Sequence, residues 1–185
     1  MRWSRFLAAV IASALGLVPL VATGAAAKTT PAGGWTRTVC KGLDRWQVAV
    51  TDAFDELDDQ DGSDASAAQE ALLGTVKGMS KATAQLRKRL AKAGTPDVDG
   101  GEDFTATLSG GFADVSAAVK TARAEIGGAS TDDAAGFQLV ATAAINDLAT
   151  ALESTGTAFA EADALDNADL LDALNAEKAC AGLIE

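Results

Sequence analysis

Apolar residues recur at alternating steps of three and four along four long stretches of this chain, which begin at Val39, Leu72, Phe104 and Phe137. This spacing places apolar side chains on one face of an α-helix. Alternating runs of β-branched or aromatic residues, which indicate strands, are missing from the sequence, and Ala, a good helix former, fills many of the small positions. The pattern therefore predicts an all-α protein of long helices joined by short loops.

Each stretch contributes one predicted core face. The predicted core positions are Val39, Leu43, Trp46, Val50, Ala53, Phe54 and Leu57, then Leu72, Val76, Met79, Ala82, Leu86 and Leu90, then Phe104, Leu108, Phe112, Val115, Val119, Ala122 and Ile126, then Phe137, Val140 or Ala141, Ala144, Leu148, Leu152 and Phe159. After a break predicted at 163–167, a short fifth helix carries Leu170, Leu171, Leu174 and Leu183. This order predicts an up-and-down four-helix bundle with a short fifth helix at the C-terminus.

Local signals suggest where some helices begin, end or bend. Ser66 and Gln69 have the S-x-x-Q spacing of a capping box, which predicts that the second helix starts near Ala65 or Ser66. The same helix is expected to end before Gly94. Two glycines at 110–111 fall inside the third stretch, and each costs up to about 1 kcal/mol relative to Ala. They favour a bend or two shorter helices at that point.

The N-terminus has the features of an export signal. Arg2 and Arg5 precede an uncharged run at 6–22, and small residues at 25–27 form an A-x-A cleavage site before Lys28. The run of 17 residues is just long enough to span a bilayer, so an uncleaved N-terminal anchor is the alternative. The sequence favours cleavage over anchoring.

These features predict two parts, a secretory signal peptide at 1–27 and a single helical-bundle domain at 28–185. The second part has 158 residues, enough to bury one core. Its net charge is −13, which disfavours nucleic acid and anionic membrane surfaces as partners. We expect a secreted, extracellular protein with no stable membrane insertion after cleavage, and attachment to the cell envelope stays open. The Ala-rich, Asp-rich and Gly-rich composition, without His or Tyr, is typical of a GC-rich bacterial genome.

The chain has two cysteines, Cys40 and Cys180, near the two ends of the predicted domain. In an exported protein such a pair indicates a disulfide, here between the first and last helices. A metal site or a reactive thiol is disfavoured, since neither cysteine has a C-x-x-C partner and the chain has no histidine. The bond would close a loop of about 140 residues and stabilise the fold by roughly 5 kcal/mol in the loop-entropy model.

This disulfide restricts the position of the last helix. A fifth helix running straight back would carry Cys180 about 20 Å from the end where the first helix begins, whereas a disulfide requires Cα atoms within about 7 Å. The sequence therefore favours a last helix that crosses the end of the bundle. The alternative is a fourth helix that ends early, near Thr155 and Gly156.

No catalytic residue, cofactor or metal site is predicted. Without histidine, Ser-His-Asp and Cys-His catalysis and His-ligated metals are excluded. Two acidic segments, 52–64 and 97–103, partly match a calcium loop, but the first ligand positions are Leu57 and Thr95 instead of carboxylates. We interpret both segments as solvated loops, with weak calcium binding as the alternative.

Basic residues cluster in the second half of the second helix. They are Lys81, Arg87, Lys88, Arg89 and Lys92. Cations near a helix C-terminus stabilise its dipole, which is one interpretation. The other is a docking face for an acidic polymer or a partner protein.

Two tryptophans fall in the predicted domain. Trp46 lies on the first apolar stripe and is predicted to be core. Trp35 follows two glycines, and we expect it before the first helix, as an end cap or an exposed contact residue.

Two function classes follow. The first is a secreted non-enzymatic helical module that binds a protein, a cell-envelope component or a small ligand. The second is a small secreted enzyme that uses Asp, Glu or Lys in a cleft between helices. A buried pair of such groups facing a pocket would favour the enzyme, and an exposed apolar patch would favour the binding module.

Overall fold

The computed structural model describes residues 28–58, 64–164 and 167–180. The helices are α1 (Ala32–Asp58), α2 (Ala65–Ala93), α3 (Gly101–Gly128), α4 (Ala134–Ala164) and α5 (Ala168–Ala176), and residues 178–180 are helical again. Two short strands, β1 (Thr29–Thr30) and β2 (Thr95–Pro96), pair in parallel. The protein is therefore mostly helical, as predicted. The predicted signal peptide at 1–27 lies outside the described residues.

Consecutive helices provide most of the packing: α1 against α2, α2 against α3, and α3 against α4, with α5 on α1. Every predicted core position in α2 and α3 is buried. The other buried positions from the prediction are Val39, Leu43, Ala53, Phe137, Ala141, Ala144, Leu148, Leu170 and Leu174, and the half-buried ones are Trp46, Val50, Phe54, Val140, Leu152 and Leu171. The side chains of Leu57, Phe159 and Leu183 lie outside the described part. No helix in that part has the length and hydropathy needed to cross a bilayer.

The core consists of two clusters that meet at Trp46. One cluster joins the first half of α1 to the end of α2, the start of α3 and α5. The other joins the end of α1 to the start of α2, the end of α3 and the first half of α4. Trp46 packs against both clusters, and its ring meets Phe112 edge-on with centroids 5.1 Å apart. These two rings therefore connect the halves of the core.

Helix α3 is continuous through Gly110 and Gly111, so the predicted division into two shorter helices is wrong. Leu108 and Phe112 on either side are almost completely buried. Burial of these side chains, worth about 1.5–3 kcal/mol each, outweighs the helix cost of the two glycines.

Helix α2 starts at Ala65, as predicted, but its cap is Asp64. The Asp64 carboxylate accepts hydrogen bonds from the backbone N–H groups of Ser66 at 2.7 Å and Ala67 at 3.3 Å. Ser66 already lies inside the first turn, so the predicted capping box is wrong. Gln69 has another role, because its side-chain amide donates to backbone carbonyls at the end of α3.

Replacing Asp64 with Ala should lower the free energy of unfolding by about 1 kcal/mol, the usual cost of losing an N-cap side chain. Urea denaturation followed by circular dichroism measures this change. Ser66→Ala is the matched control and should change stability by a few tenths of a kcal/mol at most, because Ser66 contributes only its backbone N–H. An equal loss in both variants would contradict Asp64 as the cap.

Trp35 lies inside α1 and is 1% exposed, so its predicted position before the first helix is wrong. Its indole N–H donates to the Gly94 carbonyl at 2.8 Å, and its ring meets Phe104 edge-on with centroids 5.5 Å apart. The helix begins at Ala32 despite two early glycines, which are poor helix formers. These tertiary contacts of Trp35 stabilise the first turn.

The strand pair holds the start of the described chain against the end of α2. The Thr95 N–H donates to the Lys28 carbonyl at 3.0 Å, and the Thr30 hydroxyl donates to the Ala93 carbonyl at 2.7 Å. Gly94 between them has a φ of +72°, and a Cβ there would collide with the Lys28 carbonyl oxygen. Only glycine fits this position. The result is that Lys28 lies beside the last turn of α2.

A disulfide joins Cys40 and Cys180, with their Cα atoms 5.1 Å apart, and both residues are buried. It links the N-terminal and C-terminal regions, as predicted. Helix α4 continues to Ala164, so the alternative of a fourth helix that ends early, near Thr155 and Gly156, is wrong.

Helix α5 reaches Cys40 by lying beside the first turns of α1. Asn167 caps α5 and donates its side-chain amide to the Asp99 carbonyl, at the end of the molecule where α1 and α3 begin. Farther along, Glu177 pairs with Arg37 at 3.5 Å. The sequence argument placed Cys180 about 20 Å from the end where the first helix begins and assumed that Cys40 lies at that end. Helix α1 instead starts at Ala32, which places Cys40 about 12 Å along the helix from its first residue. The nine residues of α5 cover a similar distance, about 13 Å, so a crossing of the end is not required.

Candidate functional site

Small residues let α1 and α2 approach closely and leave a groove between them. They are Gly42, Ala49 and Ala53 on α1 and Gly78 and Ala82 on α2, and the groove encloses about 380 Å³. A Cβ at Gly42 would lie 3.1 Å from Leu86 Cδ1 and 3.4 Å from Arg89 Cδ. Gly42 therefore leaves room for the aliphatic part of Arg89 to pack against α1, and Arg89 lines the groove.

A second concavity, of about 810 Å³, continues from the first at the C-terminal end of α2. The two share Gln85 and Arg89 as lining residues. Together they carry six cationic side chains and one carboxylate, Asp52. We call this surface the basic groove, and its cations are Lys28, Arg45, Lys81, Lys88, Arg89 and Lys92.

Charge is unevenly divided among the helices. Helix α2 has six cations and one carboxylate, whereas α4 has four carboxylates and α5 has two, with no cation in either. Among the five helices, α2 alone has a positive net charge. The basic groove is therefore a local positive surface on an acidic protein, and the net charge of the whole domain does not exclude an anionic ligand at this surface.

The groove cations are not used in ion pairs within the described ranges. The ion pair found there joins Arg37 and Glu177, away from the groove. Of the five clustered residues that the sequence singled out, Lys92 alone lies in the last turn of α2. Since the dipole effect is confined to the last turn, it does not explain Lys81, Lys88 or Arg89.

Four of the five clustered basic residues line the groove, and Arg87 does not. Sequence reasoning missed Lys28 and Arg45, which tertiary packing brings to the same surface. The β1–β2 pair positions Lys28, and the α1–α2 contact positions Arg45 beside Lys81. No local sequence signal identifies either residue.

Trp46 contributes an aromatic surface to the groove. It packs against the core, as its place on the apolar stripe predicted, but it is only half-buried, and its indole N–H donates to the Thr83 hydroxyl at 3.1 Å. The rest of the ring borders the groove beside Arg45 and Lys81. Trp46 can thus contact a bound molecule while its polar atom stays satisfied.

The other candidate sites have less support. The buried polar side chains of the described residues are all uncharged: Thr36, Thr75, Thr83, Thr155 and Asn167. Over the same ranges, no three His, Cys, Asp or Glu residues are grouped to hold a metal ion. The acidic segment 97–103 lines an open concavity, and part of the other acidic segment, 59–63, lies outside the described residues.

Large exposed apolar side chains do not form a patch in the described part. They are Val48 on α1 and Leu139 on α4, which are 53% and 75% exposed. The basic groove is thus the surface where charge, shape and an aromatic ring coincide. The chain matches no protein-family model, no curated protein and no solved structure, so the geometry of the groove carries the functional argument.

Proposed function

We propose that the mature chain is a secreted, non-enzymatic helical module that binds an anionic partner, a cell-envelope component or a protein, through the basic groove. The observation that carries this proposal is the gathering of six cations on one concave surface of an acidic protein, with no ion pair to the described residues. The alternative, a small enzyme with Asp, Glu or Lys in an inter-helix cleft, has no buried charged group in its favour within the described ranges.

The arrangement of cations also destabilises helix α2, and a bound anion would remove this destabilisation. Lys88 and Lys92 are four residues apart on α2, and Arg89 and Lys92 are three apart. Like charges at these spacings destabilise a helix by about 0.2–0.5 kcal/mol per pair. An anion bound along the groove would relieve this repulsion, and such locally unfavourable groups are typical of functional sites.

The proposal includes the location and the arrangement of the domain. The export signal at 1–27 is removed, and residues 28–185 act outside the cell as one domain closed by the Cys40–Cys180 disulfide. Helices α1 to α4 run up and down in sequence, as a four-helix bundle. Packing of each helix on the next and the short connections between them support this order.

Sedimentation of the oxidised mature protein with bacterial cell-envelope material tests the proposal. We expect retention at low salt and release at high salt, because the contacts are between exposed charges. The double variant Lys88→Gln with Arg89→Gln should weaken binding to this material by about thirtyfold, since each cation near an anionic surface contributes about 1 kcal/mol.

The matched control is Lys120→Gln with Arg123→Gln, which removes the same charge from an exposed part of α3. It should be retained like the parent protein. Equal retention of the parent and the groove variant would contradict the assignment of the site, and no retention of the parent would contradict an envelope partner.

A further inference from the structure

We infer that the partner is a linear polyanion, a polymer bearing phosphate or carboxylate groups, which lies extended along α2 in the basic groove. This inference rests on the proposed function and names its ligand class. The groove cations form a row instead of a single cluster, and this arrangement is the basis of the inference.

The row follows the axis of α2. Lys81, Lys88 and Lys92 lie within twelve residues of one helix, and the rise from Lys81 to Lys92 is about 16 Å. The row continues past the helix, because the backbone bond between Lys28 and Thr95 places Lys28 beside the end of α2. On the other side, Arg45 of α1 lines the groove together with Lys81. A single small anion reaches two or three of these cations, whereas an extended chain meets all six.

The groove lacks the apolar anchor that a protein partner requires. Protein interfaces usually have a desolvated centre with buried aromatic or aliphatic side chains, surrounded by a polar rim. The large exposed apolar residues in the described part, Val48 and Leu139, do not line the groove. Trp46 lines the groove, but it is half-buried, packs against Phe112 and donates to Thr83, so it exposes only part of its ring to a partner. These features favour a flexible charged polymer over a folded protein.

The acidic remainder of the molecule restricts where such a polymer binds. Packed helices have axes about 8–10 Å apart, so the groove admits one extended chain. The surfaces of α3 and α4 have a negative net charge and repel the same polymer. Binding is therefore confined to the groove and weakens steeply with salt.

Calorimetric titration of the oxidised mature chain compares three probes of one chemistry: inorganic phosphate, tripolyphosphate and long-chain polyphosphate. A second series compares galacturonate with polygalacturonate and distinguishes phosphate from carboxylate preference. At equal concentration of anionic groups, affinity should rise with chain length in at least one series. For the preferred polymer, the slope of log K against log salt should be about −3 to −4, since four to six neutralised charges contribute about 0.7 each.

The variant Lys88→Gln with Arg89→Gln should weaken polymer binding by about tenfold or more and reduce this slope by about 1.4, while Lys120→Gln with Arg123→Gln changes neither. Affinity that does not depend on chain length in either series, or equal losses in both variants, would overturn the inference. If envelope material retains the protein through the groove, but protease treatment of that material abolishes retention and no polymer binds, the partner is a protein. In that case the proposed function stands and the polyanion inference falls.

Discussion

Loss of the Cys40–Cys180 disulfide should lower the free energy of unfolding of the mature chain by about 4 kcal/mol. The bond spans 140 residues, and constraint of so long a loop in the unfolded state contributes up to about 5 kcal/mol. Typical domains have a total stability of about 5–15 kcal/mol, so this one bond is a large share. Its loss also frees α5, which packs on α1 next to the disulfide.

Urea denaturation of the oxidised protein, of the reduced protein and of the double variant Cys40→Ala with Cys180→Ala measures the effect. The reduced protein and the double variant should unfold at similar, lower urea concentrations. Reducing agent should leave the double variant unchanged, which controls for other effects of the reagent. Coincident unfolding of oxidised and reduced protein, or two titratable thiols in the protein isolated under non-reducing conditions, would contradict a stabilising disulfide.

Phe112→Ala should lower the free energy of unfolding by about 4 kcal/mol, because truncation of a buried Phe removes apolar contacts and leaves a cavity. The Phe112 side chain is 0% exposed and contacts Trp46, where the two core clusters meet. The cavity would therefore weaken both halves of the core. Phe112→Leu, which fills most of the same volume, should cost about 1.5 kcal/mol or less.

Leu139→Ala is the matched control, since Leu139 is 75% exposed on α4. It should change stability by less than about 0.5 kcal/mol. Chemical denaturation monitored by circular dichroism gives all three values. If Phe112→Ala lowers the free energy of unfolding no more than Leu139→Ala does, the position of Phe112 in the core is contradicted.

Apolar spacing predicted the helices well because it is a local property of the chain. All seven predicted core positions of α3 are buried, including those on either side of Gly110 and Gly111. The errors came where tertiary contacts override local preference. Trp35 joined α1 through its contacts with Gly94 and Phe104, which lie far away in the sequence.

The predicted position of the C-terminal helix depended on where the first helix starts. Because α1 starts at Ala32, Cys40 lies two turns inside the helix, and the packing of α5 on α1 is compatible with the disulfide to Cys180. Apolar spacing alone did not reveal this start, since the first turn carries two glycines.

The site was partly visible in the sequence. Four of the six groove cations belong to one cluster on α2, but that cluster was equally consistent with an effect on the helix dipole. Lys28 and Arg45 decide between the two interpretations, because they come from other elements and converge on the same surface. Only the fold brings them there.

Backbone amide chemical shifts of the oxidised mature chain, recorded by NMR during titration with long-chain polyphosphate, test the basic groove most directly. Our account predicts shift changes at Lys28 and within 42–53 and 78–93, and little change along α4. The changes should reverse as salt is raised. Shift changes centred on α3 and α4 would contradict the assignment of the basic groove as the binding site. No saturable change at low salt with either polyphosphate or polygalacturonate would contradict a linear polyanion as its ligand.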